Sequence, residues 1–163
     1  MPGNGIDPAA GPRPVAVWAT TGALAFLGVS AVAGGAAMLT GAGGAAPPRE
    51  WLADIPVVDS WVLPGLVLGV GFGLGSLLTA YGVLSRRSWA WSHPIERVVG
   101  HHWSWLATLL LGLGQVIWIS LEVVYLPQLS MLQAVYAGVG FALLPLPLHP
   151  AVQRYLASTD AAA

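Results

Sequence analysis

Cysteine is absent from the 163-residue chain, and so is lysine. Without cysteine there is no disulfide scaffold, no thiolate metal centre and no membrane dithiol chemistry. Charge is scarce. Asp, Glu and Arg together make up 8% of the residues, against about 25% in ordinary soluble domains. The formal net charge is -1, so there is no polybasic field for nucleic acid or for strong clamping to anionic lipid. What is abundant is apolar: 56% of the chain is hydrophobic and the mean hydropathy is +0.72. That balance excludes a disordered chain and a cytosolic globular enzyme, and it points to an integral membrane protein.

A helix that crosses the hydrocarbon needs about 20 apolar residues at about 1.5 Å each. Four segments meet or approach this requirement: 15–39, 61–84, 103–126 and 130–146. The first two contain no ionisable residue and the third contains only Glu122. The fourth is short and runs into Pro145, Pro147 and Pro150, which remove helix donors and act as a stop. Gly44-Ala45-Ala46 has the look of a signal-peptide cleavage site, but the apolar run before it is longer than a signal peptide's, so the first segment is read as a retained span. Residues 1–14, rich in Pro and Gly, are expected to be disordered, and 158–163 to be a loose tail. Residues 15–157 form one membrane domain in this reading. The predicted fold is an all-α four-helix bundle.

The arginines orient it. Arg13, Arg86, Arg87, Arg97 and Arg154 fall on one side, and only Arg49 on the other. By the positive-inside rule the first side is cytoplasmic, so both termini are inside a bacterial plasma membrane. Trp18, Trp89, Trp91, Trp103 and Trp105 are expected at the inner interface, Trp51 and Trp61 at the outer one.

Gly65, Gly69 and Gly73 recur every fourth residue and make a flat strip for close helix packing, with span 1 as the expected neighbour or another subunit as the alternative. Asp59 or Ser60 is placed to cap span 2, with Pro64 in its first turn. Ser130 and Gln133 form an S-x-x-Q capping box. The outer loop carries Trp51, Leu52, Ile55, Pro56, Val57 and Val58, too apolar for a solvated loop, so it lies on the outer leaflet or plugs the bundle mouth.

Ionisable groups within a membrane are functional candidates by default. Thr108, Gln115, Trp118, Glu122 and Tyr125 share one face of span 3, opposite Leu106, Leu109, Leu113, Ile117, Leu121 and Val124. This stripe either hydrogen-bonds to neighbouring helices or forms a ligand cavity or proton path opening outward near Glu122. Asp54 and Asp59 are possible contributors to such a site. All four histidines fall on the cytoplasmic side: His93, His101, His102 and His149. Of these, His101, His102 and His149 are the candidates for holding a metal or haem. Adjacent His101 and His102 point in different directions on a helix, however, and headgroup contact explains them more simply. No cofactor is expected. No Ser–His–Asp set, phosphate loop or nucleotide fingerprint stands out, and a catalytic role has no residues to rest on.

Glu50-Trp51-Leu52, Pro56, Trp61-Val62-Leu63-Pro64-Gly65, Arg86-Arg87-Ser88-Trp89 and Ser130-x-x-Gln133 with Tyr136 and Gly138 resemble a recurring pattern in small four-span actinobacterial membrane proteins. The wealth of Ala, Gly and Pro and the use of Arg for Lys suit a high-GC genome of that kind. The layout is also similar, in architecture only, to DoxX-like proteins. These resemblances imply a four-span fold and no activity. Three functions follow as expectations. The first is a non-catalytic accessory subunit or assembly factor of a larger membrane complex, in contact with lipids and other membrane-protein subunits and not with nucleic acid. The second is a small transporter or lipid- or small-molecule-binding protein built on Glu122. The third is a haem- or metal-binding protein built on the histidines.

Overall fold

The computed structural model describes residues 12–41, 47–52, 55, 58–126, 128 and 130–157. Among them the regular structure is helical, with one isolated backbone bridge between His101 and Ala157. We label the helices α1 (Val15–Thr40), α2 (Val62–Ser85), α3 (His93–Val99), α4 (Trp103–Tyr125), α5 (Met131–Leu143) and α6 (Pro150–Tyr155). Helices α1, α2 and α4 are long and apolar enough to cross a membrane, and α5 is a shorter apolar helix.

The distribution of side chains suits lipid rather than water as the surrounding solvent. Large apolar residues such as Val29, Leu110, Val124, Met131 and Phe141 point outward, while Thr20, Ser76, Thr79, Ser104, Thr108 and Gln115 are buried. The buried threonines need no partner helix: Thr20, Thr21, Thr79 and Thr108 donate to the carbonyls of Ala16, Val17, Gly75 and Ser104, each four residues back. This corrects the expectation that Thr108 bonds across helices.

Small residues let the backbones meet. Gly35 of α1 sits so close to α2 that a Cβ there would lie 2.6 Å from Gly65 O and from the Cα and N of Gly69. A Cβ on Gly73 would meet Val32 at 2.6 Å. The strip of Gly65, Gly69 and Gly73 therefore faces α1 in this structure. Helices α1 and α2 run antiparallel, with Gly28 near Leu77 and Gly35 near Gly69. Helix α2 in turn meets α4, through Gly75 against Leu111 and Gly114 against Phe72. Gly112 and Gly140 bring α4 and α5 together, and Phe26 stacks on Tyr136 to join α5 to α1.

Helix α2 is not uniform. Val67–Leu74 is wound as a π-helix, and the Gly75 N–H reaches Val70 O five residues earlier. Glycines at 69, 71, 73 and 75 offer little side-chain resistance to the wider turn. The start of α2 also differs from expectation. Its N-cap is Trp61, with no side-chain cap, because Asp59 and Ser60 lie in the bend before the capping position. Pro64 does fall in the first turn. At the other end Arg86 closes α2 in the left-handed conformation, φ 50°.

The fourth apolar segment is helical only to Leu143, not to 146. Pro145 and Pro147 disfavour helix in the residues before them, and the chain continues in tight turns. It nevertheless follows α4 end to end. Gly140 packs on Gln115 and Val116, the Trp105 indole donates to Pro147 O at 2.9 Å, and His102 N–H donates to Leu156 O at 2.7 Å. The carbonyl freed by the broken helix is thus taken up by an indole, as burial in an apolar medium requires.

Candidate functional site

Two adjoining cavities, of about 410 Å³ and about 320 Å³, lie where α1 and α4 end and α2 and α5 begin. Met38, Pro47, Trp118, Glu122 and Leu126 line both. The larger one reaches down between α1, α4 and α5 to Leu27, Ser30, Ala31 and Gln115, and Trp51 and Pro47 of the α1–α2 connection border it. The expectation of an apolar loop over the mouth finds a physical counterpart here. Arg49–Leu52 forms a 3-10 turn, and Ile55 and Val58 line the smaller cavity. Asp54, Pro56 and Val57, together with Gly44-Ala45-Ala46, lie outside the described residues.

Glu122 is held by its own helix. The Trp118 indole N–H, one turn earlier, donates to Glu122 Oε1 at 2.5 Å. Trp118 is in turn fixed by Phe72, whose ring meets it edge-on at 5.9 Å. The π-wound segment of α2 carries Phe72 to that position, so backbone irregularity and site geometry are connected. Gln133 approaches from α5. Its Oε1 accepts from Ser130 N–H at 2.7 Å in the capping box, which leaves its amide N–H donors for the Glu122 carboxylate. Among the described residues no Arg or His forms an ion pair with Glu122.

Gln115 is deeper. It is 2% exposed, lines the larger cavity, and its Oε1 has no hydrogen-bond partner among the described residues. An unpaired buried amide oxygen is costly, which makes Gln115 a candidate for contact with a polar group from outside the chain. Ser30 also lines this cavity, but its hydroxyl is already spent on Phe26 O at 2.6 Å.

Of the five stripe residues, the structure brings Gln115, Trp118 and Glu122 to the larger cavity and Tyr125 to the smaller, beside Trp118 and Glu122. Thr108 lines neither and is buried in packing. The sequence pattern gave no sign of Ser30 or Tyr136 as lining residues, placed Trp51 only in a loop on the outer leaflet or over the bundle mouth, and assigned Gln133 to capping alone. The i to i+3 spacing of the capping box was visible; that its free amide end would face Glu122 depends on how α4 and α5 pack.

The histidines lie at the opposite end and are dispersed in role. His102 caps α4: its Nδ1 accepts from Ser104 N–H at 3.4 Å and pairs with Ser104 Oγ at 2.8 Å. Its Nε2 is 3.8 Å from Glu96 Oε1. Burial pushes the His102 pKa below its usual 6.5, outweighing the Arg87 carbonyl and the Glu96 carboxylate, which favour the charged ring. Glu96 itself accepts from Ser88, Ser92 and the Trp103 backbone N–H. His149 caps α6 by accepting from Ala151 N–H at 3.2 Å, and His101 stacks on Trp105 at 4.7 Å. Among the described residues no three His, Asp or Glu side chains gather as a metal site would need.

Compared with known protein families, with curated proteins and with solved structures, the chain matches none of them.

Proposed function

We propose that this is a multi-pass membrane protein of the bacterial plasma membrane that binds an apolar small molecule or lipid in the cavity between α1, α4 and α5. The observation that carries this reading is the buried Gln115 amide oxygen, without a partner among the described residues, inside a mostly apolar cavity whose mouth holds Glu122. Pockets that bind small molecules have this character: mostly apolar walls of a few hundred cubic ångströms with a few placed polar groups.

In this reading the chain is a four-span bundle. The segment from Gln133 to Leu156 runs beside α4 from Glu122 to His102, about 30 Å at 1.5 Å per residue, which matches the hydrocarbon thickness. Arg13, Arg86 and Tyr155 meet at one end, where Arg13 donates to the Tyr155 hydroxyl and Arg86 lies over its ring. With Arg87, Arg97 and Arg154 that end takes five of six arginines and faces the cytoplasm, so the cavity opens outward. The accessory-subunit reading rests on small soluble parts, on the lack of a catalytic set and on small-residue helix faces, and of those faces the strip of Gly65, Gly69 and Gly73 is covered by α1. The ligand cavity therefore leads.

Native mass spectrometry of the full chain, purified in mild detergent, tests this. A retained mass is expected on the wild type and absent from Ser30→Leu, which fills the cavity. Equal spectra for the two proteins, both bare, would remove the reading.

A further inference from the structure

The larger cavity is lined by one carboxylate and, among the described residues, by no cation. Gln115 presents Oε1 with no donor on it. The Ser30 hydroxyl gives its proton to Phe26 O, which leaves it no proton to donate to a ligand. Among the described lining residues Glu122 is the one formally charged group, and its two donors, Trp118 and Gln133, are neutral and already engaged with it. The donors present, such as the Trp51 indole, the Tyr136 hydroxyl and the amides of Gln115 and Gln128, are neutral, so an anionic headgroup would bring its charge beside the Glu122 carboxylate with nothing to offset it. A complementary ligand brings the positive charge itself.

We infer that the cavity's ligand is a hydrophobic monoamine: its ammonium pairs with Glu122 at the mouth, its apolar body lies against Leu27, Ala31 and Ile119, and a second donor reaches Gln115. The two acceptors are seven residues apart on one helix face, about 10 Å along the axis, so two donors set between them are separated by about 5–8 Å. The ammonium supplies the counter-charge that the protein withholds, which offsets the cost of a carboxylate at the edge of the hydrocarbon. This inference rests on the ligand-cavity reading and narrows it to a chemical class.

Dansylcadaverine is a fitting probe. It has a terminal ammonium, a five-carbon spacer and a sulfonamide N–H, and Trp118 and Trp51 border the cavity as fluorescence donors. The full chain would be reconstituted in phosphatidylcholine nanodiscs, so that the lipid itself carries no net charge. Saturable tryptophan-excited dansyl emission is expected, with the N-acetylated probe bound at least about tenfold more weakly. Glu122→Gln should bring the amine down to the level of the acetylated probe. Glu122→Asp should keep the preference and so show that loss in the Gln variant is not misfolding. Acetylated and free probes that bind the wild type equally would overturn the monoamine inference and leave the cavity reading standing. No saturable binding of either would overturn it as well, with the cavity reading then judged separately by the mass retained on purification.

Discussion

Gln115 and His102 are both buried polar side chains with a nitrogen or oxygen left unpaired, and they lead to opposite expectations. At Gln115 the amide oxygen has no hydrogen-bond partner among the described residues, and burying it so costs free energy. Gln115→Met, close in volume, should raise the unfolding midpoint by an amount equivalent to about 1–3 kcal/mol while weakening ligand retention. A lower midpoint would mean that the amide serves the fold and not a ligand. At His102 the folded state disfavours the proton, because the pKa lies below the 6.5 of the free side chain. Below pH 6.5 the unfolded chain therefore binds more protons than the native one, and stability is lost as pH falls from 6.5 toward the lower folded value. Thermal unfolding followed from about pH 7.5 down to about pH 5 should show this decline, and His102→Asn should flatten it. A profile that His102→Asn leaves unchanged would place the effect elsewhere.

Helix α2 shows how far a glycine pattern can be read and where it stops. Four-residue spacing marked 65, 69 and 73 as a close-packing strip, and those residues do face α1. The same spacing treats the three as equals, which they are not. A Cβ on Gly73 would meet Val32 backbone and side chain under 3 Å, and one on Gly35 would meet α2 backbone at 2.6 Å, whereas one on Gly69 has its nearest atom at 3.5 Å. Gly71 has open space. Gly35→Ala and Gly73→Ala should each cost about 1–3 kcal/mol, because backbone cannot step aside as a flexible side chain can. Gly69→Ala should cost less, and Gly71→Ala should be neutral or stabilising within about 1 kcal/mol. Thermal unfolding of the four variants in one detergent ranks them, and an equal loss at Gly71 and Gly73 would contradict the packing. The π-wound turn that orients Phe72 was not legible at all, since hydrophobic periodicity assumes a constant 3.6 residues per turn. The end of α5 was misplaced for a related reason. Apolar composition continues through Leu148, but Pro145 and Pro147 end the helix while the chain goes on along α4.

For the whole molecule, composition and hydropathy carried the architecture further than the site. Long apolar runs, few charges and arginines grouped by segment are local properties, and three membrane-length helices follow from them. The cavity is not local. It needs Ser30, Trp51, Gln115 and Gln133 from four separate segments; Gln115 announced itself through its place on the Glu122 face of α4 and Trp51 through its apolar loop, while Ser30 and Gln133 did not. The absence of cysteine turns this into an advantage, because any thiol introduced is the only one in the chain. Ser30→Cys places a thiol in the cavity, and Arg87→Cys places one at the exposed arginine-rich end. The most direct measurement is the labelling of these two variants in intact cells and in inverted membrane vesicles with a membrane-impermeant thiol reagent. Ser30→Cys should react from outside, and more slowly with dansylcadaverine present, while Arg87→Cys should react only in inverted vesicles. Reaction of Ser30→Cys from the cytoplasmic side alone, or from neither side, would contradict an outward-opening ligand cavity.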